Sequence, residues 1–487
     1  MIHTHECLSD YVMQLTLADL HELLGGKLRL GAMPPRDGET TLVGPVVVDS
    51  REVESDEVFW GLVGSRFNGA HFAEEAFVRG AAGVVVSGRR VEPWAGRWAL
   101  EVDDSQKSMW ELAAWNRSRC SAPVVAIAGS VGKSTTRRMI DTVLGYRLCG
   151  AAIPKKCNNQ IDVPLSLLAL EQWHQYGLVE LSANRPGEIA RLARLARPQF
   201  GVITNVHLAY PAGFTSADSV ARSHAELLSE LPQGTTAILN ADEPALRRVA
   251  SRWAGRIVWI GRGAECDISA VDVISTDGRL RFRVEHQAFD IPVWGRHHVT
   301  SALAAIAVGR SFGLDLREIA TALTTFRSLP MRCEMTGAAG VQIINDAYDS
   351  NPTSMRAALE LLREIDTSGR RILVSGDYSS LAFDSPDAAA LWHQRLGADV
   401  VDRCGADQLI ACGRQAERVA TAAIAAGMPA DRAVPFARWE ETLEHLSGVV
   451  RAGDVVLVKG GRSMGMERIV ESLKSRLASK IPLRIAA

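Results

Sequence analysis

The sequence predicts an α/β protein of three domains, and three observations carry that expectation. Short apolar runs alternate with helical stretches along nearly the whole chain. A central stretch, "VVAIAGSVGKSTTRRMI" from Val124 to Ile140, reads as a buried strand, a glycine turn and a helix. The strand–helix pattern then restarts near Met331, after an interruption of alternating apolar residues. Such alternation implies mostly parallel sheets flanked by helices. The length of 487 residues suits roughly two to four domains, each able to bury its own core.

The opening third has a short βα rhythm: "TTLVGPVVVDSREV", "EVFWGLVG", a helical "HFAEEAFVRGAAG" and the strand "VVVSG", ending near "WNRSRCSAP". After the glycine turn, the strands "YGLVELSA" and "FGVITNV" alternate with the helical "GEIARLARLARP" and "VARSHAELLSEL". In "CDISAVDVISTDGRLRFRVEHQAFDIPVWG", alternating apolar residues around Asp277-Gly278 predict an antiparallel patch. The helices "TSALAAIAVGRSFG" and "LREIATALTTF" follow. The last segment carries the strands "VQIINDAY", "RILVSGDY", "DQLIACG" and "DVVLVKG". The expected fold is therefore a central P-loop-type, mostly parallel sheet flanked by helices, between α/β N- and C-terminal domains. The expected limits are 1–118, 119–328 and 329–487.

A hydrophobic content of 47%, a charged content of 23% and a net charge of -2 describe an ordinary globular chain without the basic excess that holds a nucleic-acid backbone. "MIHTHECLSDYVMQ" lacks the basic start and apolar core of a signal peptide, and no apolar run is long enough to cross a bilayer, so a cytoplasmic location is expected. Eight cysteines (Cys7, Cys120, Cys149, Cys157, Cys266, Cys333, Cys404, Cys412) are scattered with no close pair, which reads as reduced packing residues.

A phosphate-binding turn needs glycines, so that the backbone can curl around an anion, and a following helix whose free N–H groups face the charge. Gly129, Ser130, Val131 and Gly132 supply the turn. Lys133 can reach the β- and γ-phosphates, and Ser134 or Thr135 can coordinate Mg²⁺ through a hydroxyl. Position 127 is isoleucine, which leaves the short form G-x-x-G-K-S-T in place of G-x-x-x-x-G-K-[ST].

This short loop resembles that of the Mur ligases, the ATP-dependent amide-bond-forming enzymes of peptidoglycan assembly. The likeness continues in order through "DSREVESDEVFWGLVGSRFNGAHFAEEAFVRGAAGVVVS", "NNQIDVPLSLLAL", "VELSANRPGEI", "VITNV", "ILNADEP", "GRHHVTSALAA", "MRCEM", "INDAYDSNPTSMRAALELL" and "VLVKGGRSMGME". The resemblance implies ATP and Mg²⁺ as cofactors and transfer of the γ-phosphate to a carboxylate, giving an acyl phosphate that an amine attacks. Positioning, and cations that offset crowded negative charge, carry such chemistry. Within the family, the implied substrates are a UDP-muramoyl tripeptide and D-alanyl-D-alanine, with no nucleic acid or membrane partner and a monomeric chain.

The resemblance also implies site residues, each with a plainer alternative. Lys133 and Glu180 would be catalytic, with Ser134 and Glu180 on Mg²⁺; otherwise Glu180 is a solvated strand end. Asn158 and Asn159 would line the substrate pocket, or cap the next helix. Ser50 and Arg51 would meet the nucleotide sugar, or form a turn with Asp49. Arg332, Asp346 and Asn351, with Tyr348, would contact ATP; otherwise Arg332 is a surface residue and Asn351-Pro352 starts a helix. His297 would contact ATP or simply pack. Lys459 and Arg462 would face the dipeptide, or sit in a solvated turn.

Several positions depart from the family pattern. Tyr210 and Ala212 stand where a histidine and a glutamate are usual, and a phenol that keeps its proton is a poor metal ligand. His224 occupies the position of a lysine that is carbamylated in many members; it remains a candidate ligand but carries no negative charge. Ser380 replaces a glutamate, and His298 a frequent asparagine. Two expectations therefore stand: a working ligase with a rearranged second metal site, or a paralogue that binds the nucleotide sugar with a changed substrate or no turnover.

Overall fold

The computed structural model describes residues 14–64, 67–151, 160–207, 214, 216–379, 383 and 385–479. The fold is mixed α/β, and the chain divides into two compact units, Met1–Ala126 with Leu148–Leu181 and Arg191–Gln199, and Ile127–Arg147 with Ser182–Ala190 and Phe200–Ala487.

The first unit is built on a five-stranded sheet in the spatial order Lys27–Leu30, Trp98–Val102, Gly83–Ser87, Val58–Gly61, Val46–Val47. Its neighbours are parallel except for the first pair. The antiparallel edge strand Lys27–Leu30 escapes sequence reading because its polar–apolar alternation lasts only four residues, too short a run to stand out. Gly83 is required by packing, since a Cβ there would lie 2.0 Å from the Trp98 ring. Trp60, fully buried, donates its indole N–H to the Ser105 carbonyl at 2.7 Å, tying the sheet to the helix Ser105–Arg119. Asp104 caps that helix by accepting from the amides of Gln106 and Lys107. From the same helix, Asn116 donates to the carbonyls of Leu167 and Leu170, both at 2.8 Å, which fastens the helix Asp162–Leu168.

In the second unit, the strands Ile268–Ser269, Arg256–Gly261, Thr236–Asn240 and Phe200–Ile203 run parallel in that order. The expected antiparallel patch is present as Val271–Thr276, Arg279–Val284 and Gln287–Ile291. Its first turn has Asp277 at φ 52° and Gly278 at φ 75°, the doubly left-handed geometry that suits the twist of a tight hairpin. Ile268–Ser269, read in sequence as part of that patch, instead extends the parallel sheet, where Ala270 N–H donates to the Gly261 carbonyl at 3.0 Å.

A six-stranded sheet completes this unit, in the order Glu334–Ala338, Val341–Asp346, Val455–Lys459, Arg371–Gly376, Gln408–Cys412, Ala433–Phe436. All pairs are parallel except the first. Every residue of the central strand Val455–Lys459 is buried. Sequence reading missed both edge strands: one carries Gly337, and the other carries Pro435, which only an edge tolerates because proline cannot donate to a ladder.

The Trp60 hydrogen bond makes a prediction. Trp60→Phe leaves the Ser105 carbonyl without its buried donor and should destabilise the protein by about 1–3 kcal/mol, seen as a lower urea midpoint at unchanged secondary structure.

Candidate functional site

The turn from Gly129 to Gly132 is shaped by sterics. Gly129 has φ 137°, and a Cβ there would lie 2.1 Å from Thr204 Oγ1, so both conformation and space demand glycine. Gly132, at φ 81°, opens the helix Lys133–Leu144. Residues after the strand Phe200–Ile203 hold the turn. Ser130 N–H donates to the Asn205 carbonyl at 3.0 Å, and Val131 N–H to Asn205 Oδ1 at 3.0 Å. Thr204 Oγ1 and Asn205 Nδ2 donate to the Val131 carbonyl at 2.9 and 3.1 Å. Ser130 Oγ donates to the His207 carbonyl at 2.6 Å.

The helix-closing bond from Thr136 N–H to the Gly132 carbonyl leaves the earlier amides at the positive end of the helix, suited to an anion. The Lys133 ammonium arches back to donate to the Gly129 carbonyl at 2.7 Å. One turn on, buried Thr136 donates to Ser301 Oγ at 2.9 Å, clamping this helix to Val299–Ser311. His224 is buried beside Lys133, and its Nδ1 has no hydrogen-bond partner among the described residues. Burial, helped by the Lys133 charge, pushes its pKa down to about 3, so the ring is neutral.

A second group forms at the ends of the C-terminal strands. Lys459, 1% exposed, donates to Asp346 Oδ2 at 2.6 Å and to the Asp349 carbonyl at 2.8 Å. Asp346 also accepts from Cys333 N–H at 3.1 Å. The Arg332 guanidinium stacks 4.0 Å from the Tyr348 ring centroid, and exposed Arg462 lies 5.5 Å from the same ring. Asn351, fully buried, caps the helix Pro352–Glu364 reciprocally with Ser354 and donates to Asp349. His297 is exposed and feels the charges of Asp346 and Lys459.

In the first unit, Glu180 ends the strand Gly177–Glu180 at 3% exposure, which rules out the solvated alternative. Ser50 is buried and donates to Glu75 at 2.8 Å. The exposed Arg51 guanidinium forks onto Asp49 at 2.9 and 2.7 Å, a surface pair that an anionic ligand could replace cheaply. Asn158, Asn159, Tyr210, Ala212 and Ser380 lie outside the described residues.

With this geometry in place, comparison with known proteins decides the family. Residues 127–309 match the Mur ligase middle domain and residues 331–462 the Mur ligase, glutamate ligase domain. A UDP-N-acetylmuramoyl-tripeptide--D-alanyl-D-alanine ligase of Bacillus subtilis (strain 168) is 30% identical over 465 residues, covering 95% of this chain and 99% of the relative. The chain belongs to the Mur ligase family. Among solved structures, MurF from Acinetobacter baumannii superposes with a TM-score of 0.80 at 25% identity, over 95% of this chain and 99% of that one. MurF ligase from Thermotoga maritima, solved in complex with ADP, shares the fold with a TM-score of 0.74 at 24% identity, over 90% and 98% of the two chains.

Taken separately, the Ser134 hydroxyl and the buried Glu180 carboxylate are both of the oxygen-donor type that Mg²⁺ favours. The imidazole of His224 suits Mg²⁺ poorly. Thr204 and Asn205, which grip the phosphate turn, had no assigned role in the sequence reading; their signal was the motif "VITNV" directly after a strand. Asp349 and Cys333 were also missed, because their partners come from distant strands.

Two predictions follow from these contacts. Asp346→Asn strands the Lys459 charge in the interior and should cost about 3–5 kcal/mol, read as a lower thermal midpoint. For His224 the folded pKa of about 3 lies below the ordinary 6.5, so the folded state resists its proton. That contribution is complete above pH 6.5 and is lost as pH falls toward 3; denaturation midpoints should drop across this window and drop less in His224→Gln.

Proposed function

We propose that this Mur ligase is an ATP-dependent enzyme that joins D-alanyl-D-alanine to a UDP-N-acetylmuramoyl tripeptide. The observation that carries the reading is the end-to-end match to the Bacillus subtilis relative, over 95% of this chain and 99% of that one. The glycine turn built for an anion supports it. In the reaction, the terminal phosphoryl of ATP passes to the tripeptide carboxylate and leaves ADP. The dipeptide amine then attacks the activated carbonyl: the C–N bond forms, the C–O bond to phosphate breaks, and the amine gives up a proton.

Gly129, Ser130, Val131, Gly132, Lys133, Ser134 and Thr135 receive the ATP phosphates, with the Lys133 ammonium leaving the Gly129 carbonyl for the nucleotide. Ser134 and Glu180 would hold Mg²⁺, which supplies charge neutralisation at the phosphates. Arg332, Asp346, Asn351 and His297 serve the nucleotide side. Lys459, buried against Asp346, acts by holding that segment, whereas exposed Arg462 is free to meet the dipeptide carboxylate. Ser50, Arg51, Asn158 and Asn159 serve the UDP-muramoyl peptide. Working domain limits are 1–118, 119–328 and 329–487, in a monomeric cytoplasmic chain. Among the described residues, no helix is long and apolar enough to cross a membrane.

One observation favours a second reading: neutral His224 stands beside Lys133 where the family pattern has a carbamylated lysine, which fits a paralogue that binds without turnover. Phosphate release with ATP, Mg²⁺, UDP-muramoyl tripeptide and D-alanyl-D-alanine, each omitted in turn, separates the two. Release that needs both substrates is expected, and binding of the nucleotide sugar without release would select the paralogue. Lys133→Ala should cut release by on the order of 100-fold or more while circular dichroism stays unchanged.

A further inference from the structure

Beside the nucleotide side, to which His297 is also assigned, two adjacent residues and a distant cysteine converge. His297 and His298 lie on the short turn Arg296–His298 that leads into the helix Val299–Ser311, and Cys333 directly precedes Glu334–Ala338, the first strand of the C-terminal sheet. One ring nitrogen from each histidine and the Cys333 sulfur all lie within 4.8 Å of one another. His298 and Cys333 are buried, at 7% and 8% exposure, while His297 opens to solvent. His298 Nε2 is buried with no hydrogen-bond partner, an arrangement that a folded protein normally avoids.

We propose that His297, His298 and Cys333 form a binding site for a zinc-like divalent cation, distinct from the Mg²⁺ that accompanies ATP. The donor set carries the choice of ion: two imidazoles and a thiolate suit Zn²⁺, whereas Mg²⁺ takes oxygen ligands. Three protein donors leave one position of a tetrahedral shell for water, reached from the exposed side of His297. Protonation favours cation entry at His298 and opposes it at Cys333, whose proton the metal must displace. Burial holds His298 well below the ordinary histidine range, so its nitrogens are not competing for a second proton. Burial and the nearby Asp346 carboxylate hold the Cys333 thiol well above its ordinary range, so the thiol is neutral without metal. On binding, its S–H bond breaks, the proton leaves to solvent and the sulfur lone pair goes to the metal. Of the cations that act on Cys333, Lys459 and Arg332, the first is already paired with Asp346 at 2.6 Å.

The site would link the turn before Val299–Ser311 to the start of the C-terminal sheet, two segments that are far apart in sequence. Because His297 is also assigned to ATP, the site is tested by metal titration without nucleotide, so its failure and that of the ligase reading are distinguishable.

The test uses the full chain, stripped of metal and titrated with Zn²⁺ against a chromophoric zinc indicator, and separately with Co²⁺ to read the thiolate-to-metal charge-transfer band. The wild type should withdraw about one equivalent of Zn²⁺ and show the Co²⁺ band. Cys333→Ser should lose the band, and His298→Asn should weaken Zn²⁺ binding by about 10–100-fold or more. Cys7→Ser, Cys157→Ser and Cys266→Ser should keep the band. Failure of the wild type to compete for Zn²⁺, absence of the band, or its loss in one of these three controls overturns the proposal. The wild-type readings do not depend on whether a variant folds.

Discussion

A buried lysine paired with a half-buried aspartate at the ends of two neighbouring parallel strands organises the C-terminal candidate site. Asp346 and Lys459 are direct register partners, so their backbones are fixed by the ladder before the side chains meet. Removing both charges from water is costly, and the cost is offset only if every donor and acceptor is placed. Lys459 therefore also binds the Asp349 carbonyl, while Asp346 takes the Cys333 amide. The constraint spreads outward from there. Asp349 meets Asn351, Asn351 caps the helix Pro352–Glu364, and Tyr348 is left projecting between Arg332 and Arg462.

The phosphate turn follows a different logic, in which space does what charge does at the other group. Its glycines allow a path that no side chain could follow, and the first packs so closely on Thr204 that the turn and the end of the next strand form one piece. Asn205 then takes up two amides of the turn, one through its backbone carbonyl and one through its side chain. Those amides are committed to structure. Beyond them lies the positive start of the helix, where the Lys133 ammonium donates to the Gly129 carbonyl.

Two buried histidines share an electrostatic theme. His224 and His298 each keep a ring nitrogen without a hydrogen-bond partner among the described residues. A buried imidazole sheds its charge, so each is a neutral lone-pair donor. His224 sits beside the Lys133 charge, and His298 beside His297 and Cys333.

Sequence alone determined what depends on local pattern. The central strands are continuous apolar runs because both faces are covered, and the glycine turn is legible because backbone curvature and helix polarity are local properties. The Asp277-Gly278 hairpin was legible for the same reason. The edge strands Lys27–Leu30, Glu334–Ala338 and Ala433–Phe436 were not, since half-exposed edges carry weak periodicity. At the site, motif order marked Lys133, Glu180, Arg332, Asp346 and Lys459 as residues of interest. Only the tertiary structure decided what each one touches: Lys459 could have been a solvated turn residue and is instead buried in an ion pair, and Glu180 could have been solvated and is instead enclosed. The roles of Thr204, Asn205 and Cys333 arise only when strands far apart in sequence become neighbours, because a hydrogen bond or a donor cluster is set by distance in space.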